Sequence, residues 1–172
     1  EKATELTNSL KNEFRTEIDI RDNYTPGYKF NYWEMKGVPI RLEIGPRDIE
    51  NNQCVLVRRD TLEKEIVSLD NVNARIAELL EEIQKNMFNM AKENTENKTT
   101  IAKNLEEFEN NINTNQGYVK TMWCGSAECE EKIHNLTGAK SRCMPFNQEH
   151  ISDTCVCCGK PATKMVVWGR QY

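Results

Sequence analysis

Four residues separate Cys124 from Cys129, two separate Cys155 from Cys158, and twenty-five lie between the pairs. No other feature restricts the fold as tightly, because this is the spacing of a site that gathers four thiolates around one zinc ion. Each short pair can close a knuckle on a tetrahedral metal, with sulfur about 2.3 Å from zinc. Gly125 and Gly159 each follow a cysteine, at points where such turns call for a positive φ. Four thiolates fill the coordination sphere, so a metal here would hold structure and leave no open position to activate water.

Two other readings compete: ordinary buried thiols, or disulfides in an exported chain. The seven cysteines are an odd number and no secretory or transmembrane stretch accompanies them, which favours a reducing cytoplasm. Cys157 competes with Cys158 as partner of Cys155, but a two-residue spacer closes a knuckle better than a one-residue spacer. Cys143 has no evident role. His134 and His150 lie between the pairs and could substitute as ligands, although a solvated surface histidine is the plainer reading of each.

A length of 172 residues suits one domain with an appendage, or two small domains. Hydrophobic residues make up 38% and charged residues 29%, a soluble and rather polar balance. The net charge of −4 argues against a nonspecific nucleic-acid binder. That charge is uneven. Residues 70–115 carry nine acidic and five basic side chains, against six basic and five acidic in 25–60, and seven basic and five acidic in 116–172. An anionic partner is therefore expected at the first or last third. The chain opens on Glu1 inside a helical pattern and reads as part of something longer.

Periodicity gives the coarse organisation. Leu6, Leu10 and Phe14 mark an amphipathic helix over Thr4–Arg15, and Glu17–Arg21 alternates as a short strand. Thr25-Pro26 is a helix start, and Tyr28, Tyr32 and Met35 share a face before Gly37. Val38–Ile44, Gln53–Arg59 and Glu65–Leu69 read as strands, the second apolar enough to be central. After Asp70, an apolar stripe of Val72, Ile76, Leu79, Leu80, Ile83, Met87 and Met90 breaks in the polar run from Glu93 and resumes at Ile101, Leu105, Phe108 and Ile112. This predicts two helices or one with a weak joint, with the stripe buried against the folded ends. Strands over Tyr118–Trp123 and Lys164–Gly169 enclose a helix over Ala127–Leu136.

Catalytic patterns are missing: no Gly-rich phosphate loop, no nucleophile elbow, and no His-x-Glu ahead of the cysteines. The residues themselves suggest a binding and scaffolding piece. Three classes stay open on that basis: part of a larger enzyme, an RNA-binding zinc module of another translation or RNA-processing factor, and a zinc protein that binds another protein.

Two blocks of sequence narrow the choice. The first is Thr25–Phe30 (TPGYKF) followed by Trp33–Asp48 (WEMKGVPIRLEIGPRD). The second is the tail, with Trp123-Cys124-Gly125, Arg142–Phe146 (RCMPF), Cys155–Ala162 (CVCCGKPA) and a final Tyr172. Together they resemble the C-terminal part of prolyl-tRNA synthetase, in the form with a zinc-binding extension. The resemblance implies an α/β anticodon-binding domain with a mixed five-stranded sheet over residues 1–70. A helical connector over 71–115 and a small α+β zinc-binding domain over 116–172 would follow. It also implies that Glu34, Arg41, Arg47 and Lys64 contact the two guanines of proline anticodons, Lys64 being reached through a one-residue insertion near Asp60. The chemistry suits them, since a carboxylate accepts from guanine N1–H and N2–H and Arg donates to O6 and N7. Without the resemblance, each charge reads as a solvated surface residue. Tyr28, Phe30 or Trp33 could stack on unpaired bases.

Zinc on Cys124, Cys129, Cys155 and Cys158 is expected from their spacing and from the resemblance alike. Further expectations rest on the resemblance alone. ATP and magnesium, which drive attachment of proline to its tRNA, would act in a catalytic domain this sequence lacks, so the chain alone is expected to be inactive. Partners would be proline tRNA, that catalytic domain through Tyr172, and a second subunit in a cytoplasmic homodimer, with neither membrane nor DNA involved. Relatives open the anticodon domain with a strand that this chain does not have, so the sheet is expected to be short of one strand.

Overall fold

The computed structural model describes residues 1–171. Tyr172, with the contact expected of it, lies outside the described residues. The chain divides into two compact units, Glu1–Asn89 and a second that begins at Met90.

In the first unit, α1 (Lys2–Leu10) is followed by α2 (Pro26–Met35), β1 (Ile40–Glu43), α3 (Pro46–Glu50), β2 (Gln53–Arg58), β3 (Lys64–Ser68) and α4 (Val72–Asn97). Helix α2 starts as the Thr25-Pro26 pair predicts: the Thr25 hydroxyl oxygen accepts from the Tyr28 amide at 3.4 Å. It stops at Gly37, whose φ of 85° suits a residue without Cβ. The sheet has the order β1-β2-β3 and is antiparallel throughout, with the apolar β2 central as expected. Cys54 and Leu56 of β2 point into a core with Val67, Leu10 and one face of α4 (Val72, Ile76, Leu79). These α4 residues recur at three- and four-residue intervals, so one stripe of the helix covers one face of the sheet.

Two expectations fail here. Residues 17–21 form no strand. Side chains hold this segment instead: Asp19 accepts two bonds from the Arg21 guanidinium, at 2.8 and 2.6 Å, and one from Trp33 Nε1 at 2.9 Å. The sheet accordingly has three antiparallel strands in place of a mixed five, and β1 is an edge. Beside it runs an apolar groove of about 420 Å³, lined among others by Leu6, Leu10, Phe14, Ile40 and Leu42. Helix α1 is also shorter than its pattern, ending at Leu10 before single turns that carry Phe14.

The second unit holds the end of α4, then β4 (Thr99–Ile101), α5 (Leu105–Thr114), β5 (Tyr118–Trp123), α6 (Ala127–Thr137), β6 (Ala139–Cys143) and β7 (Lys164–Arg170). Its sheet has the order β4-β5-β7-β6, with β4 and β5 parallel across α5 and the other pairs antiparallel. Trp168 is fully buried at its centre, edge-on to Phe108 and Trp123, and its Nε1 donates to Thr121 Oγ1 at 2.9 Å. Helix α5 is capped by Asn104, whose Oδ1 accepts from the Glu107 amide at 2.9 Å.

Strand β4 was not legible in the sequence. The two helices expected on either side of the polar run are α4 and α5, but α4 continues through most of that run to Asn97, and Ile101 belongs to a strand between them and is half exposed. The β-branched run Thr99-Thr100-Ile101 suits a strand, and Gly117 makes the pairing sterically possible. A Cβ there would stand 1.9 Å from the Lys98 carbonyl oxygen, which instead accepts from the Tyr118 amide at 2.9 Å. Within residues 71–115, Val72, Ile76 and Leu79 belong to the first core, and Phe108 and Ile112 to the second.

Candidate nucleic-acid interface and metal centre

Side chains alternate along a strand, so the face of the first sheet opposite Cys54 and Leu56 carries Arg41 and Glu43 of β1 and Lys64 of β3. Arg41 and Lys64 both pair in register with Val57 and so lie in one row across the sheet. Glu43 joins them. Its Oε1 accepts from Arg41 Nε at 2.9 Å, and its Oε2 is 3.5 Å from Lys64 Nζ. Arg41 Nη1 also pairs with Glu34 Oε1 of α2, and its guanidinium lies 4.0 Å from the Phe30 ring centre. Three of the four candidate anticodon residues thus meet in one network. Arg47, in the first turn of α3, is exposed and forms no ion pair among the described residues.

The network is charged and partly wet, and it keeps bonding capacity. Arg41 offers five N–H donors and uses two of them here. The second Glu34 oxygen has no partner among the described residues, while Lys64 extends into solvent. Glu43, which sequence reasoning missed, orients both cations. The available signal was its position two residues from Arg41 on the same strand face.

The aromatic candidates differ in availability. Phe30 is covered by Arg41, and the Trp33 indole is tied to Asp19, whereas Tyr28 is exposed and stacks on Tyr24. The Arg21 guanidinium, with Trp33 behind it, holds the Asp19 carboxyl well below the ordinary carboxylate range.

The four cysteines converge in the second unit. Cys124 follows β5, Gly125 turns the chain at φ 87°, and Cys129 lies in the first turn of α6. In the other knuckle, the Cys155 amide donates to the Lys160 carbonyl at 2.8 Å, and Gly159 turns at φ 69° with its amide on the Cys155 carbonyl at 3.0 Å. Both glycines therefore adopt the positive φ their positions predict. The four sulfur atoms lie within 4.8 Å of one another. Cys124 Sγ is 3.7 Å from both Cys129 Sγ and Cys158 Sγ. Sulfurs held about 2.3 Å from a tetrahedral ion stand about 3.8 Å apart, so the cluster has the donor set and spacing to hold a metal ion.

The four thiols differ in their surroundings. A backbone N–H of Lys160 draws the Cys158 thiol down to about 7, and burial pushes the Cys129 thiol up. Cys157 packs against hydrophobic residues of both cores in this unit and is not among the four. Cys143 is exposed at the end of β6. His134 is exposed on α6, and His150 pairs with Asp153 at 3.1 Å; neither joins the cluster.

Comparison with known proteins agrees with both halves. Residues 1–79 match the family described as "Anticodon binding domain", and residues 105–172 match "Prolyl-tRNA synthetase, C-terminal". The chain is 53% identical over 172 residues to a proline–tRNA ligase of Clostridium botulinum and to one of Ruminiclostridium cellulolyticum. It is also 53% identical over 171 residues to a proline–tRNA ligase 2 of Bacillus cereus. In each case 99–100% of this chain is aligned to 36% of the relative. The chain thus spans about a third of the length of the curated relatives it matches.

Proposed function

We propose that this chain is part of a prolyl-tRNA synthetase, that its first unit reads the anticodon of proline tRNA, and that its second is stapled by zinc. The observation that carries the first half is the network of Glu34, Arg41, Glu43 and Lys64 on the face of the sheet opposite Cys54 and Leu56. Glu34 accepts from guanine N1–H and N2–H, Arg41 donates to O6 or N7, and Lys64 and Arg47 hold the backbone. Glu34 and Arg41 neutralise each other in the free protein. Exchanging that pair for guanine keeps every charge partnered, whereas a base with the wrong edge leaves polar groups unpaired.

Zinc would bind Cys124, Cys129, Cys155 and Cys158, and its chemistry is structural: a four-thiolate cross-link between two knuckles. The whole protein attaches proline to its tRNA with ATP and magnesium in a catalytic domain beyond this chain. It works as a cytoplasmic homodimer. No helix among the described residues is long and apolar enough to cross a membrane.

Binding of proline tRNA, compared with the same tRNA in which the two anticodon guanines are replaced, tests the first half. The 172-residue chain should prefer the native tRNA, and equal affinity for both would refute anticodon reading.

A further inference from the structure

Beside the guanine-reading network, the first unit displays a column of aromatic rings and cations. Tyr28 stacks on Tyr24, with ring centres 4.4 Å apart and planes within 11°. The Arg21 guanidinium lies 4.9 Å from the Tyr24 ring centre and 4.6 Å from that of Tyr32. Lys36 Nζ stands 5.6 Å from the Tyr32 ring centre. Folding does not require this order, because neither Tyr24 nor Tyr28 belongs to a core and they remain 39% and 48% exposed. A tyrosine with one ring face already covered keeps nearly half its surface in water.

The column is held ready. Asp19 fixes Arg21 by two hydrogen bonds and ties the same segment to Trp33 of α2, while Lys29 Nζ donates to the Asp19 carbonyl at 3.4 Å. Arg21 is thus locked as a planar layer between two rings and stays charged. Tyr28 and Tyr32 share the helix that carries Glu34, and Lys36 caps its C-terminal end. Exposed aromatic faces flanked by cations are the recognition chemistry of unpaired nucleotides, whose bases all present a π-face.

We infer that Tyr28, backed by Tyr24 and Arg21, is a stacking platform for an unpaired anticodon-loop base outside the guanine pair. It supplies affinity without reading sequence. The inference rests on the anticodon-binding reading and adds a second contact to it.

The test is fluorescence anisotropy with the whole chain and a stem–loop bearing the proline anticodon. Tyr28→Ala should weaken binding between about fivefold and a hundredfold, by the same factor for the native loop and for one with the guanines replaced. Tyr28→Phe should keep wild-type affinity, since the ring and not the hydroxyl stacks. Removing one loop base outside the guanine pair should abolish the difference between Tyr28→Ala and wild type. If Tyr28→Ala binds as wild type while Arg41→Ala loses guanine discrimination, the platform is overturned and the anticodon reading stands. If Arg41→Ala still discriminates while Tyr28→Ala behaves as expected, the guanine-reading role of Arg41 falls and the platform stands. A wild-type chain that fails to bind the stem–loop overturns both.

Discussion

Cys124 and Cys158 are thirty-four residues apart in sequence, yet their sulfur atoms stand 3.7 Å apart. Cys129 lies at the same distance from Cys124, so one ion can link the end of β5, the start of α6 and the loop before β7.

About one zinc per chain is therefore expected in protein purified without added metal. Chelation should release it and lower the stability of the second unit by several kcal/mol. That loss should fall short of the roughly 10–16 kcal/mol of isolated zinc-finger peptides, because the core around Trp168 remains. Cys155→Ser should reproduce the loss and Cys143→Ser should not, as elemental analysis and thermal melts would show.

Arg41→Ala should weaken binding of proline tRNA by about 1–3 kcal/mol, the value of one good bidentate contact to guanine. Its effect on stability should be modest, because its pairs with Glu34 and Glu43 are only partly buried and each carboxylate keeps contact with solvent. Filter binding and a urea melt separate the two effects.

Acid should loosen the first unit through Asp60. Its carboxylate is almost completely buried, bonded to Arg58 at 3.0 and 2.8 Å and to Asn86 at 2.8 Å. The Arg58 guanidinium draws its pKa down to about 2. The unfolded value is about 3.9, so the native state prefers the charged form. This stabilisation is complete above the unfolded pKa and disappears as pH falls from about 4 through 2. Asp60→Asn should cost about 1–2 kcal/mol at neutral pH, after discounting for solvent, and little near pH 2. Denaturant midpoints at the two pH values measure it.

Gly117→Ala should destabilise the second unit by on the order of 3 kcal/mol, since the new methyl meets the Lys98 carbonyl and splays β4 from β5. Thr121→Val should cost about 1–3 kcal/mol by leaving the buried Trp168 N–H without its acceptor. Protection of the β5 and β7 amides from hydrogen exchange reads both.

What the sequence disclosed follows how local the signal is. The cysteine knuckles, the positive φ at Gly125 and Gly159, the Thr25 cap and the central position of β2 depend on neighbours within a few residues, and all were legible. Strand β4 was not, because three residues are too short to show a period and its pairing depends on Gly117, remote in sequence. Residues 17–21 alternate like a strand, but Asp19, Arg21 and Trp33 satisfy one another outside any ladder. The Glu43 bridge was hidden for a related reason. Only the register of β1 and β3 on β2 brings Arg41, Glu43 and Lys64 to one face.

The most direct measurement is an NMR titration of the isotope-labelled chain with a proline anticodon stem–loop. Anticodon reading by the first unit requires the largest shift changes at Glu34, Arg41, Glu43 and Lys64, with residues of the second unit little affected. Changes centred on the second unit, or the same pattern from a stem–loop without the two guanines, would contradict it.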